Sequence, residues 1–213
     1  MKLYQQPAPS GRRRLFPGWW VLVVGALASG LGGALASQGA SVLFKPVAAD
    51  LNLTRAKAST APAITALSSG VTFFLAGWLS DRTSPKWVVI SGLAIMIAGC
   101  WGMQYVDAPW SYYLVWGVVV GAGQGLGLTV ACDKAVTLWF ARKQGLAMGL
   151  RFAIMGVVSM AALPLIAWLI TAYGWRTACA AWAGVMTLVI PLVIGFFKSG
   201  RPEEYGFLPD GLP

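Results

Sequence analysis

Asp81, Arg82 and Lys86 lie within the eleven residues GWLSDRTSPKW, 77–87, of a chain in which only 11% of positions are charged. A stretch that merely held a membrane segment on one side would need cations alone. A carboxylate at the end of a helix opposes the helix dipole unless basic neighbours compensate it, so Asp81 calls for a further use. Asp133 and Arg151 form a second pair able to do chemistry. Each lies nine residues from Arg142, so a helical hairpin turning there sets both roughly 13 Å deep at 1.5 Å per residue. Ionisable groups at such depth face a cavity or each other. Three uses are open: a structural pair of Asp133 with Arg151 or with Arg82, attraction of a substrate carboxylate by Arg151, and snorkelling of Arg151 to the headgroups.

Other chemistries are excluded by residue type. The chain has no His, which removes histidine metal sites, a Ser/His/Asp triad and a histidine proton relay. Cys100, Cys132 and Cys179 show no C-x-x-C spacing and read as free thiols packed as small hydrophobes. No paired buried carboxylates offer acid–base work. The expectation is no enzyme, no metal and no cofactor.

The elements that must position these residues are membrane helices. Hydrophobic residues make up 57% of the chain, with a mean hydropathy of +0.67 and 11 Trp, far more apolar than the soluble average. The net charge of +9 does not mark a nucleic-acid surface, because the charges sit between apolar runs. Six charge-free intervals each approach the roughly 20 residues that cross a bilayer core. They predict an all-α membrane protein with spans near 19–41, 58–79, 87–105, 110–138, 145–173 and 175–197. The organisation expected is a cytoplasmic segment 1–17, a six-helix bundle 18–198 and a cytoplasmic loop 199–213. With both termini inside, Lys2, Arg12, Arg13, Arg14, Arg82, Lys86, Arg142, Lys143, Lys198 and Arg201 collect on the cytoplasmic side, against Lys45, Arg55, Lys57 and Arg176 outside. A cleaved signal peptide over the first run is disfavoured by the five spans that follow. In GVVVGAGQGLG, 117–127, Gly117, Gly121 and Gly125 recur every fourth residue, the spacing of a helix face where another backbone comes close. A dinucleotide fingerprint would need a strand before it and a helix opening at it.

GWLSDRTSPKW resembles the loop 2–3 signature of the Major Facilitator Superfamily, G-x-L-x-D-R-x-G-R-K, with Gly77, Leu79, Asp81, Arg82 and Lys86 in matching places. Ser84 and Pro85 stand where the pattern has its second Gly and a basic residue. Three further stretches narrow the resemblance to monocarboxylate and oxalate/formate facilitators. SVLFKPVAADLNLTRAKAS, 41–59, looks like that group's first external loop. LWFARKQGLAMGL, 138–150, and GRPEEYGFLPDG, 200–211, look like its loop 4–5 and central loop. Drug antiport is disfavoured: Gly117 and Gly121 occupy the positions of its helix 4 arginine, and no Gly precedes Pro164.

The resemblance implies a gate at 77–87, closing the two halves of a transporter on the cytoplasmic side; charged contacts suit an interface made in one state and lost in another. It implies twelve helices in two halves with the solute between them, of which this chain holds the N-terminal six. The expected partners are the bilayer of the plasma or inner membrane, a small organic anion and a second six-helix half, with no nucleic acid. The expected activity is secondary transport of a monocarboxylate or dicarboxylate by symport or antiport. A non-transporting truncated subunit or remnant, or a facilitator for another small solute, is the alternative. Helices 1, 2, 4 and 5 line the cavity of such a half, which makes Gln38, Thr65, Ser68, Ser69, Thr72, Gln124 and Arg151 the cavity candidates. The hydroxyls can equally bond back to their own helix, and Gln124 can equally bond between helices.

Overall fold

The computed structural model describes residues 16–197 and 202–205, and all regular structure among them is helical. Helix α1 runs Gly18–Asp50, α2 Arg55–Arg82, α3 Pro85–Tyr105 and α4 Pro109–Trp139. The last apolar tract, Gln144–Phe196, holds 53 residues, or about 80 Å of helix against a bilayer core of about 30 Å. It is two spans: Gly174 has φ 82° and ψ 163°, a conformation open to glycine and strained for other residues. The chain breaks there into α5 (144–173) and α6 (175–196). The result is an all-α bundle of six spans. The expected segments 1–17 and 199–213 lie outside the described residues except for 16–17 and 202–205.

One expectation is corrected. Most of 41–59, read as an external loop, is helix, because α1 continues through Ala40–Asp50. Leu43 and Val47, one turn apart, are both buried, which keeps this amphipathic end on the bundle. Lys45 is exposed, so a charge that looked like the end of a span sits on helix that continues past it. The connection shrinks to 51–54. Asn52 takes φ 50° and the Leu53 N–H reaches back to the Ala48 carbonyl at 2.9 Å, a left-handed stop for α1. Thr54 Oγ1 then accepts from the Lys57 N–H at 3.4 Å to open α2.

Small residues let the spans close on one another. A Cβ on Gly121 would stand 2.9 Å from the Thr65 carbonyl oxygen, and one on Gly92 of α3 would overlap the Gly127 backbone of α4. α4 is therefore wedged between α2 and α3 at backbone contact. Two helices also depart from α-helical winding, α1 at Ala34–Gly39 and α4 at Tyr113–Val120 and Gln124–Thr129, where the turn widens to a π-helix. Such turns occur mostly as short bulges and often at functional sites. The wide turns 34–39 and 124–129 meet: Gln124 Nε2 donates to Ser37 Oγ at 2.6 Å.

Candidate functional site

A cavity of about 290 Å³ lies beside those wide turns. α1 contributes Ser29, Gly33, Ser37 and Gln38, α4 contributes Gln124, Leu128 and Thr129, and α5 contributes Arg151, Phe152, Met155 and Ser159. Ser29, Gly33 and Ser37 recur every four residues and so share one face of α1; Arg151, Met155 and Ser159 do the same on α5.

Arg151 of α5 is wholly buried and held by two other helices. Its Nη1 is ion-paired with Asp133 Oδ1 of α4. Its Nη2 donates to Ser29 Oγ of α1 at 2.8 Å and to the Leu128 carbonyl of α4 at 3.2 Å. Ser29 in turn donates to the same carbonyl. Leu128 belongs to the wide turn of α4, so an irregular piece of backbone presents its oxygen to a guanidinium. Anchored this way, Arg151 does not run out toward the headgroups. Its Nε is buried without a hydrogen-bond partner among the described residues. A guanidinium inside a bundle, held by a carboxylate, a hydroxyl and a carbonyl, can exchange one of these partners for the carboxylate or polar group of a solute.

Of the sequence candidates, Gln38, Gln124 and Arg151 come together on this cavity. Thr65, Ser68, Ser69 and Thr72 lie on α2, outside its lining. Thr65 Oγ1 donates to the Ala61 carbonyl at 3.0 Å, Ser69 Oγ to the Ala66 carbonyl at 3.0 Å, and Thr72 Oγ1 to the Ser68 carbonyl at 2.9 Å. Each satisfies its own helix while pressing against the α4 glycines. Sequence reasoning missed Ser29, Ser37, Thr129 and Ser159. The four-residue recurrence of small polar positions on α1 was the available signal.

The charged stretch 77–87 closes the α2–α3 end. Gly77 and Leu79 lie in the last turns of α2 and are half-buried. Exposed Asp81 is ion-paired with Lys134 of α4. The Arg82 guanidinium lies over the Trp78 ring, 4.2 Å from its centroid. Lys86 Nζ donates to the Ile194 carbonyl of α6 at 2.6 Å, which caps the C-terminal end of that helix. The turn itself is made by Ser84, whose hydroxyl accepts from the Lys86 N–H at 3.3 Å, with Pro85 opening α3. A Ser-Pro helix start thus replaces the glycine turn of the pattern. The carboxylate of Asp133 is paired with Arg151 rather than with Arg82.

The opposite end has its own clasp. Arg176, first seen only as a marker of side, bonds Asp50 of α1 at 2.6 Å, the Val106 carbonyl at 2.7 Å and Asp107 at 3.4 Å. One side chain at the start of α6 thereby ties the end of α1 to the α3–α4 connection. Among the described residues, no three His, Cys, Asp or Glu converge as metal ligands, and the three cysteines are buried and free.

A family model described as the Major Facilitator Superfamily matches residues 29–212. The riboflavin transporter RibJ of Trypanosoma brucei brucei is 32% identical over 127 residues, 55% of this chain and 23% of that protein. Monocarboxylate transporter 13 of Rattus norvegicus is 32% identical over 102 residues, 47% of this chain and 23% of its own length. The oxalate:formate antiporter of Oxalobacter formigenes is 30% identical over 123 residues, 56% of this chain and 29% of that protein. The chain therefore spans well under half the length of these relatives. A solved structure of the E. coli fucose:proton symporter FucP matches with a TM-score of 0.66 at 16% identity, covering 86% of this chain and 43% of that one, a likeness of fold.

Proposed function

The chain belongs to the Major Facilitator Superfamily, and from that premise we propose that it forms one six-helix half of a secondary transporter for a small monocarboxylate or dicarboxylate. It is a multi-pass membrane protein, and the relatives named above are transporters rather than enzymes. In the proposed mechanism a second six-helix half completes the molecule, and the two bundles rock about a solute held between them. Both termini face the cytoplasm of a plasma or inner membrane. The stretch 77–87 then lies at the cytoplasmic end and serves as the gate, with symport or antiport supplying the energy.

One observation carries the anion reading. Arg151 is a wholly buried cation lining the cavity, and among the described residues its Nε–H has no hydrogen-bond partner. An incoming carboxylate can pair with this guanidinium when one of its present partners, Asp133, Ser29 or the Leu128 carbonyl, gives way. The relatives named for monocarboxylate and for oxalate and formate support the same choice. A second reading, an uncharged polar solute, is favoured by the Asp133 carboxylate that already neutralises Arg151, and by the relative named for riboflavin. Counterflow in proteoliposomes separates the two. With the complete transporter, formate, oxalate and lactate should exchange while their amides do not. Equal exchange of acid and amide would discard the anion reading in favour of the neutral one.

A further inference from the structure

Asp133 and Lys134 are consecutive on α4 and serve different neighbours. Asp133 holds Arg151 of α5, and Lys134 holds Asp81 at the end of α2. At 3.6 residues per turn, successive side chains diverge by about 100°, so a single step along α4 reaches both helices. The cations of 77–87 are engaged elsewhere: Arg82 on the Trp78 ring at 4.2 Å and Lys86 on the Ile194 carbonyl at 2.6 Å. Pro85 stands where the family pattern has another basic residue. The cation on Asp81 therefore comes from α4.

The piece of α4 that carries both residues is set apart. Val130–Trp139 is ten residues of regular α-helix. Before it runs the wide turn Gln124–Thr129, and Thr129 itself has φ −113° and ψ −80°, outside helical values. After it Phe140 is extended, with φ −121° and ψ 114°. A short rod between two breaks moves as a unit more readily than the middle of a continuous helix. One end of the cavity and the charged loop are thus fastened to the same rod.

We propose that Lys134 is a positioning residue of the gate: it supplies from α4 the cation that fixes Asp81, and through the adjacent Asp133 it couples the loop to the state of Arg151. This rests on reading 77–87 as the gate and Arg151 as the solute-facing cation. When Arg151 changes partners, Asp133 is released, the rod 130–139 shifts about Thr129, and the hold of Lys134 on Asp81 changes with it.

Trypsin cleavage after Arg82 in the purified 213-residue chain, reconstituted in lipid nanodiscs, reads the loop directly. Lys134→Gln should raise the cleavage rate about two- to five-fold, the range expected for loss of a largely solvent-facing ion pair. Lys134→Arg should keep the original rate, and the exchanged pair Asp81→Lys with Lys134→Asp should recover it. Arg151→Gln, or Asp133→Asn if the former does not fold, should also raise cleavage. Combined with Lys134→Gln it should add nothing further, the non-additivity of residues acting through one element. An unchanged rate in Lys134→Gln, or strictly additive effects in the double variant, would overturn the proposal. Cleavage is independent of uptake, so the coupling can fail while the transport reading stands, or stand while that reading fails.

Discussion

Arg151 concentrates what single residues contribute to this account. Replacing it with Gln leaves the Asp133 carboxylate without its cation, which should cost a few kcal/mol, toward the low end for a broken buried pair because Asp133 is partly exposed. Thermal unfolding in detergent should show a clear drop for Arg151→Gln, and Asp133→Asn in the same chain should return much of it. Arg151→Lys should fold, since an ammonium can still meet Asp133, yet lose the planar fork of donors and with it anion exchange. Normal exchange by the Lys variant would move the solute away from residue 151. The Asp133–Arg151 juxtaposition needed only a hairpin count to be legible, because equal distances from a turn mean equal depth. Ser29 was not legible in the same way: it approaches Arg151 from α1, across 122 positions of sequence, and a lone hydroxyl in an apolar span carries no sign of its partner. Lys134 was equally hidden, since a cation inside the predicted span 110–138 carries no sign of its partner Asp81 on α2.

Among the elements, α4 is the one whose sequence says most. Its glycines announce close approach by their four-residue spacing, and the structure supplies the neighbours, α2 on one side and α3 on the other. Gly92→Ala, opposite Gly127, should therefore destabilise the bundle by about 1–3 kcal/mol as an overpacked contact. Gly184→Ala, where an added Cβ meets nothing within 4 Å, should be neutral or slightly stabilising. Comparable losses of folded protein in both variants, judged by size-exclusion yield, would contradict the close packing of α4. The wide turns were not legible because their residues, ALASQG, YLVWGVVV and QGLGLT, read as ordinary apolar span. The extension of α1 to Asp50 was missed for a related reason: Lys45 and Pro46 look like an end, while the buried pair Leu43 and Val47 overrules them. The Gln124–Ser37 bond joins the two wide turns, so Gln124→Leu should loosen them without unfolding the bundle. Hydrogen exchange should then rise at 34–39 and 124–129 and stay level in α3.

At the scale of the whole molecule, two long apolar faces have no partner among the described residues. On α2, Leu67, Val71, Phe74 and Trp78 are 73%, 64%, 84% and 54% exposed and fall on one stripe by their three- and four-residue spacing. On α5, Leu146, Leu150, Val157, Met160 and Trp168 are likewise exposed. Lipid can cover such faces, and so can the second bundle of the proposed transporter. The six-helix count and the family were legible from charge spacing and one loop, because a bilayer allows few ways to bury a backbone. The solute is less legible, because in the proposed transporter its site is shared between two halves, of which this chain would supply one wall. The central claim is that this wall, through Arg151, recognises a carboxylate. Its most direct test is exchange of radiolabelled oxalate and formate in proteoliposomes carrying the complete transporter, original against Arg151→Lys, with folding matched by thermal unfolding. The account predicts saturable exchange by the original protein and its loss in the variant; undiminished carboxylate exchange by Arg151→Lys would contradict it.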